Sequence, residues 1–371
     1  MSKIIFIDIL RSHGSWSLKC LKMVDYLLGS LLAFILPVQK KQTFLPKSIH
    51  KILIIRPGGM GDAVFLLPIF KSLKTRGIAI EVLCEPRNAE IFTSQGYPVH
   101  FYNRLNQLWR VFRNSYDVII DTEQWHYLSA IVAYFIKTEC RIGFATRLLR
   151  AKLFNKQVPY GDNDYELDNF LRLFDGLLLP EHNIQDINDC FDIPELMQAW
   201  AAGQISQQSI TVFLGASIAV RRFSKEQLLT IIRDLLLKNY HPVLLGGDDV
   251  SAMAQGIMKE VNDQRISNFI GQASLIQSAA LIQRSQKFIG PDSGLMHVGC
   301  AVGTPVVAVF GPGNLHKWQP KGSGHNIITE KVSCSPCTRF GYTVPTCRGS
   351  YHCMRGIKVE KIIKFADKTV F

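Results

Sequence analysis

Two stretches of the chain share one pattern, in which a short apolar run is followed by a glycine-containing loop and then by a segment of helical periodicity. In the first stretch, KILIIR at residues 51–56 precedes the loop PGGMGD at residues 57–62. In the second, KFIG at residues 287–290 precedes PDSG, a helix-like segment at 295–302 and another apolar run at 306–310. Short, continuous apolar runs are typical of strands that are buried on both faces of a parallel sheet. The pattern therefore predicts an α/β fold with helices covering both faces of each sheet.

The same alternation continues through most of the chain and predicts two domains. A chain of 371 residues is too long for one ordinary core. We predict an N-terminal extension at residues 1–47, a Rossmann-like domain at 48–195 and a second one at 205–371, with the polar, irregular stretch 180–208 as the boundary. Further strands are predicted at residues 78–84, 99–102, 116–122, 141–144, 210–214, 242–245 and 268–270, and helices at 88–95, 105–112, 127–138, 164–178 and 224–237.

The loop after the predicted strand at 287–290 is suited to an anion. Asp292, Ser293 and Gly294 stand where the first N–H groups of a helix have no partner within the helix and the helix dipole is positive. His297, four residues after Ser293, shares its helix face, so a hydroxyl and an imidazole could flank one bound group. The alternative is structural: Asp292 or Ser293 caps the helix, and His297 is a hydrogen-bonded core residue.

Four loops are expected at the carboxyl ends of the strands, where ligands of such sheets bind. They are residues 58–62, 215–222, 246–249 and 292–297, and two facing domains would place them around one cleft. The first loop contains neither the G-x-G-x-x-G fingerprint nor a P-loop, so the sequence predicts neither a dehydrogenase nor an ATPase. Asp62 is predicted to lie at the edge of this loop, either as a functional carboxylate or as a helix cap.

The net charge of +12 predicts an anionic partner. Nucleic acid is disfavoured, because the lysines and arginines are dispersed and no RNA-binding or helix-turn-helix signature is present. An acidic membrane surface or a phosphorylated substrate remains.

Residues 18–38 are rich in large apolar side chains and have lysines near both ends. The apolar stretch is too short to span a bilayer, and no small-residue cleavage site of a signal peptide follows it. We predict that it lies on a membrane surface, with a signal anchor and burial against the protein as alternatives.

The cysteines fall into two groups. Five are scattered singly, as is usual in a reducing cytoplasm. The other four, Cys334, Cys337, Cys347 and Cys353, could close a zinc site, pair with one another or stay buried, although their second spacing is wider than in typical zinc ribbons. We predict no metal.

Several motifs together resemble glycosyltransferase family 9, the lipopolysaccharide heptosyltransferases of the GT-B fold. They are RPGGMGD at residues 56–62, GAS with RRF at 215–223, GGD at 246–248, and PDSGLMH at 291–297 with GTPVVAVFGP at 303–312. They occur in the family's order, cover residues 51–356 and are followed by a cysteine-bearing tail. The N-terminal extension lies outside the resemblance.

The resemblance implies transfer of heptose from ADP-heptose to an anionic lipopolysaccharide core, without cofactor or metal. It makes Asp62 the general base that takes a proton from the acceptor hydroxyl. Family members often carry a lysine where this chain has Arg221; Arg221 is our choice for the diphosphate, with Arg222 as the second choice. The other expected donor-binding residues are Ser217, Gly247, Asp248, Asp292, Ser293, Gly294 and His297. The expected acceptor-side residues are Gly58, Gly59, Gly61, Arg147 and Arg150.

The resemblance also implies a location in the cytoplasm, peripheral on the inner face of the inner membrane. Alternatives of the same fold are a transferase for another nucleotide sugar and a nucleotide-sugar epimerase. A non-catalytic nucleic-acid-binding protein is the alternative of another class.

Overall fold

A computed structural model describes residues 16–42, 44–178, 183–339, 342–343, 347 and 351–366. The chain forms two compact units, Met1–Gln185 and Asp186–Phe371. The division falls inside the polar stretch 180–208. That stretch is not irregular throughout, because a helix occupies Glu195–Gln204 and Trp200 of this helix packs edge-on against Phe269.

The first unit is built on a six-stranded parallel sheet in the order β3-β2-β1-β4-β5-β6. Its central strand, β1, has no exposed surface on Ile52, Leu53, Ile54 or Ile55, as its continuous apolar run predicts. The strands are β1 (Lys51–Arg56), β2 (Ala79–Cys84), β3 (Val99–Phe101), β4 (Ser115–Asp121), β5 (Lys137–Phe144) and β6 (Lys156–Val158).

Helices cover both faces of this sheet. The predicted helix at 127–138 ends earlier than expected, because residues from Lys137 onward pair in register with β4 and form a longer β5 than predicted. The helices are α1 (Trp16–Val24), α2 (Ser30–Ile35), α3 (Met60–Phe65), α4 (Leu67–Thr75), α5 (Pro86–Thr93), α6 (Leu105–Arg113), α7 (Tyr127–Phe135), α8 (Leu148–Ala151) and α9 (Glu166–Leu173).

The second unit repeats the plan of the first. Its six parallel strands follow the order β12-β11-β10-β7-β8-β9, which is the same order of succession as in the first sheet. The predicted α/β architecture, with two Rossmann-like sheets, is confirmed. The strands are β7 (Ser209–Phe213), β8 (His241–Leu245), β9 (Ser267–Asn268), β10 (Lys287–Pro291), β11 (Val306–Phe310) and β12 (Asn326–Thr329), and a small hairpin adds β13 (Thr338–Arg339) and β14 (Tyr342–Thr343).

Two capping boxes begin helices of the second unit. Ser224 and Gln227 form one and Ser274 and Gln277 the other, each satisfying two backbone N–H groups at a helix start. The helices are α10 (Glu195–Gln204), α11 (Lys225–Leu237), α12 (Ser251–Val261), α13 (Leu275–Arg284), α14 (Gly294–Ala301), α15 (Leu315–Trp318), α16 (His352–Arg355) and α17 (Val359–Ala366).

The N-terminal segment is attached to the first unit along one side. A π-helical turn at Asp25–Gly29 joins α1 to α2. Asp25 accepts hydrogen bonds from the backbone N–H groups of Tyr127 at 3.1 Å and Leu128 at 2.6 Å, at the start of α7, and Ala33 is fully buried. The alternative of burial against the protein therefore holds for this side of the segment. Within the described ranges, no helix is long and apolar enough to cross a bilayer.

Candidate functional site

Each sheet has a topological switch point between its two central strands, where the strand order reverses. Ligands of doubly wound sheets bind beside such a point. In the first unit the point lies between β1 and β4, and in the second between β7 and β10. The loops that leave these four strands therefore contain the candidate residues.

Asp62 in the first unit is held by an arginine. It lies in the first turn of α3, and its Oδ2 is 2.8 Å from the guanidinium of Arg56, the last residue of β1. Arg56 also donates to the backbone oxygen of Thr122, just after β4, at 2.9 Å. The N-cap position of α3 is Gly59, and no side chain caps the helix there. Asp62 is engaged in an ion pair rather than in the N-cap role.

The ion pair sits in a network of acids that sequence reasoning missed. Burial lowers the pKa of Arg56, but the nearby carboxylates of Asp62, Glu123 and Glu166 raise it above its ordinary value overall. Tyr160 donates to Glu166 at 3.0 Å, and burial with the adjacent charges of Glu166 and Asp62 raises the pKa of this phenol. The sequence signal that could have indicated a role for Arg56 is its position as a charged residue at the end of an apolar strand.

Gly58 is the glycine of this loop whose backbone conformation requires glycine. Gly58 has φ of +109°, a conformation that side chains rarely adopt. Gly59 is the residue before the helix, and Gly61 is its second residue. These positions agree with a loop that a ligand could approach closely.

The two arginines on the expected acceptor side differ in their environment. Arg147 lies over the ring of Trp125, 4.9 Å from its centroid, and also over the rings of Tyr26 and Tyr127. Arg150 is fully buried.

The buried Arg150 guanidinium is satisfied within the fold. It lies 2.7 Å from Asp121, which has no exposed surface either, and it donates to the backbone oxygens of His126 and Phe144. This burial speaks against contact between Arg150 and an acceptor, because its guanidinium is held inside the unit. The acceptor-side assignment of Arg150 stays a prediction. Its charge is needed to neutralise a carboxylate inside the domain.

In the second unit, Arg221 connects the two central loops. It ends a 3₁₀ turn at Ala219–Arg221 after β7, and its guanidinium is 3.2 Å from Oδ2 of Asp292 after β10. Burial raises the pKa of Asp292, and the charge of Arg221 opposes this effect. Arg221 also approaches the hydroxyl of Thr338 at 3.5 Å, a neighbour that the sequence did not indicate.

Ser293 follows the structural interpretation as a helix cap. The Ser293 hydroxyl caps α14 by accepting from the N–H of Met296 at 3.3 Å. His297 is buried, and burial followed by the charge of Arg221 lowers its pKa to about 3. Gly294 opens the helix beside the ion pair. Burial and the charge of Arg221 therefore favour the neutral form of His297.

The remaining donor-side residues lie on the surface of the second unit. Arg222 pairs with Asp249 and donates to the backbone oxygen of Ala216 at 3.0 Å. Gly247 precedes the 3₁₀ turn that contains Asp248, and Ser217 is exposed. The structure brings Arg221, Asp292 and His297 together, whereas Arg222 turns to another loop.

All nine cysteines are free thiols. In the part of the chain that the structure describes, no group of three or more His, Cys, Asp or Glu side chains is arranged to hold a metal ion. Burial, followed by the neighbouring thiols, raises the pKa of Cys353 to about 11.

Comparison with known proteins identifies the family. Residues 105–345 match the family described as "Glycosyltransferase family 9 (heptosyltransferase)". The chain is 22% identical over 337 residues to lipooligosaccharide heptosyltransferase 2 of Campylobacter jejuni, covering 86% of this chain and 98% of that protein.

Solved structures agree in fold. A family 9 glycosyltransferase from Veillonella parvula superposes with a TM-score of 0.73 at 17% identity, covering 87% of this chain and 98% of that one. Escherichia coli heptosyltransferase WaaC with ADP-2-deoxy-2-fluoro heptose gives 0.66 at 15% identity, covering 85% and 99%. The family match spans more than half of the sequence. The chain belongs to glycosyltransferase family 9, the heptosyltransferase family.

Proposed function

We propose that the protein transfers heptose from ADP-heptose to the inner core of a lipopolysaccharide. The observation that carries the proposal is the pair of Arg221 and Asp292 beside the first turn of α14, at the change of strand succession in the second sheet. A guanidinium and unpaired helix N–H groups together suit a diphosphate. The WaaC structure named above contains an ADP-heptose analogue, which supports the same donor class here.

The leaving group needs positive charge rather than an acid. When the bond between the anomeric carbon and the diphosphate oxygen breaks, negative charge develops on the β-phosphate. Arg221 and the N–H groups at the start of α14 would stabilise that charge, as a preorganised electrostatic site does. The buried His297 would contribute as a neutral group, because an imidazolium in this place is disfavoured by burial and by Arg221.

The acceptor hydroxyl needs a base, and we assign this role to Asp62. Its carboxylate is partly exposed at the glycine loop, whereas Arg56 beneath it is almost fully buried. Arg56 fixes the orientation of the carboxylate, and the proton of the acceptor hydroxyl would pass to Asp62 as its oxygen attacks the anomeric carbon.

We also propose that the protein works in the cytoplasm at the inner face of the inner membrane. The exposed side of the segment from α1 to α2 supports this location. Leu27, Leu31 and Ile35 recur there at helical spacing, each more than half exposed. Lys40 and Lys41, which follow, are exposed as well and suit anionic headgroups.

The test is to incubate the purified protein with ADP-heptose and a panel of truncated lipopolysaccharide cores and to read the products by mass. Gain of one heptose by one core, with release of ADP, is the expected result. Consumption of ADP-heptose without any acceptor would instead indicate an epimerase or a hydrolase. Transfer from another nucleotide sugar, with none from ADP-heptose, would overturn the donor assignment.

A further inference from the structure

Large exposed apolar side chains are concentrated on one side of the first unit. Among the described residues, 13 of the 16 such side chains come from the segment that contains α1 and α2, the residue Val38 after it, and helices α6, α7 and α8. The second unit contributes only Leu196 and Leu237 to the same set. The 13 are Val24, Leu27, Leu28, Leu31, Leu32, Phe34, Ile35, Val38, Leu105, Trp109, Leu128, Phe135 and Leu148.

These helices cover the same face of the sheet. Their inward side chains, among them Ala33 of α2, Val111 of α6 and Ala130 of α7, belong to one core cluster with Leu53 and Ile55 of β1. Their outward side chains therefore share one side of the unit, which we call the apolar helical face. Its most exposed members are Leu148 at 90% and Leu105 at 82%.

The charges of this face have one sign. Helices α6, α7 and α8 contain no acidic residue. Arg104 directly precedes α6, Arg110 and Arg113 lie in its last turn, and all three are exposed. The acidic residue of the N-terminal segment, Asp25, is directed to the start of α7 and to His126. Exposed apolar residues among basic residues suit an anionic interface.

Helix α6 has features of a helix that lies at a membrane surface. Leu105, Leu108, Trp109 and Phe112 line a shallow apolar hollow of about 410 Å³. Trp109 is 61% exposed and lies beside the exposed Leu105, and contiguous exposed apolar patches mark interaction sites. Indole rings favour the boundary between headgroups and acyl chains.

We propose that the whole apolar helical face, and not the N-terminal segment alone, binds the surface of an anionic phospholipid bilayer. This deepens the membrane association proposed above and does not depend on the identity of the donor or acceptor. A second copy of this chain is the less suitable occupant, because two such faces would bring their arginines together. Bound in this way, the first unit has a fixed orientation on the membrane.

Vesicle sedimentation tests the proposal with matched variants of the full chain. The test variant is Leu105→Gln/Trp109→Gln. The control is Leu196→Gln/Leu237→Gln, which removes two leucines of the second unit that are 74% and 83% exposed. Vesicles contain phosphatidylcholine with or without phosphatidylglycerol. We expect the test variant to bind mixed vesicles at least tenfold more weakly than the wild type, and the control to change less than twofold.

Two further readings decide what the face contacts. Quenching of tryptophan fluorescence by brominated lipid should fall in Trp109→Phe, and Arg104→Gln/Arg110→Gln should weaken binding only to vesicles that contain phosphatidylglycerol. Equal binding by the wild type and Leu105→Gln/Trp109→Gln would overturn the proposal. A wild-type dimer in light scattering that becomes monomeric in this variant would also overturn it and assign the face to a second copy. Transfer to a lipid-free, water-soluble acceptor should be unchanged, which separates failure of this proposal from failure of the proposed enzymatic function.

Discussion

The two units have the same order of strands, and each has an ion pair of arginine and aspartate near its central strands, but the more exposed member of the pair differs. In the first unit the arginine, Arg56, is 2% exposed and Asp62 is 23% exposed. In the second unit Arg221 is 12% exposed and its partner Asp292 only 5%. The more exposed group is the one that a ligand can reach. One fold thus offers a carboxylate at the first site and a cation at the second.

This difference in exposure follows from the position of each arginine in the chain. Arg56 is the last residue of the central strand β1, so its side chain begins inside the sheet and passes under the loop. Arg221 ends a short turn after β7, whereas Asp292 directly follows β10. A base and an anion-binding cation are the two groups that the proposed transfer requires.

The largest effect should come from Arg150→Met, because it leaves Asp121 as an uncompensated charge inside the first unit. Breaking a fully buried pair costs about 3–5 kcal/mol. We expect a loss of this size in urea unfolding. The matched control is Arg222→Met in the second unit, whose partner Asp249 is 56% exposed and whose loss should cost less than about 1 kcal/mol. Equal losses would show that the burial of the first pair has no energetic consequence.

Asp62→Asn should lower turnover at least about 100-fold, the usual range for loss of a general base and equivalent to about 2.7 kcal/mol of activation free energy. Asparagine retains the shape of the side chain but cannot accept the proton. Steady-state kinetics with ADP-heptose gives the turnover, and calorimetry should show unchanged affinity for ADP.

The control for this variant is its stability, since Arg56 loses its carboxylate partner. Unfolding should show that the protein remains folded at the assay temperature. Retention of more than about a tenth of wild-type turnover would restrict Asp62 to a structural role. The first unit would then not supply the base.

Arg221→Ala should weaken binding of ADP about 10-fold to 100-fold, because charge-assisted hydrogen bonds contribute about 1.5–3 kcal/mol. Arg222→Ala is the neighbouring control, since that side chain contacts Asp249 and the backbone of Ala216. Calorimetric titration with ADP separates the two. A weaker affinity in Arg222→Ala alone would move the diphosphate to the adjacent residue.

Histidines of the two units should give opposite pH dependences. Burial lowers the pKa of His297 from 6.5 to about 3, so the unfolded chain binds the extra proton first as the pH falls. Its contribution to stability is present above pH 6.5 and is lost toward pH 3, with about 2 kcal/mol lost between pH 7 and pH 5. His297→Gln should flatten this part of the stability curve.

The pKa of His126 in the first unit moves the other way. Burial lowers it, but Glu123 and Asp25 raise it above its ordinary value overall. Its contribution is therefore complete below pH 6.5 and is lost as the pH rises through the folded-state pKa. Comparing His126→Gln with His297→Gln between pH 5 and pH 8 tests the contrast, and slopes of the same sign would contradict it.

The sequence could predict the sheets because short, continuous apolar runs such as the one in β1 are typical of strands buried on both faces. It could also place Asp62 and Asp292 at strand ends, since loop position follows from strand position. The sequence could not distinguish the environment of Arg147 from that of Arg150. A basic residue near apolar ones is compatible with both a buried ion pair and an exposed side chain. Arg150 can be buried because it forms an ion pair with Asp121, which is far from it in the sequence.

The N-terminal segment had two competing interpretations for a similar reason. Its spacing of apolar residues indicates an amphipathic helix but does not show which side meets the protein. In the structure one side of the segment packs on the first unit and the other side is exposed. Gly29 lies against Tyr127, where an added Cβ would be 2.9 Å from the Tyr127 Cβ, while Leu31 and Ile35 remain exposed.

The smallest effect should come from Asp25→Ala, which tests how firmly this segment belongs to the first unit. The N-cap residue of α7, His126, makes no capping hydrogen bond with its own side chain, and Asp25 accepts from the next two N–H groups instead. Loss of a cap costs about 1 kcal/mol. We expect that loss in unfolding and faster hydrogen exchange in α1 and α2, with binding of ADP unchanged. Exchange that stays as slow as in the wild type would mean that Ala33 and the apolar contacts of α2 hold the segment without the carboxylate.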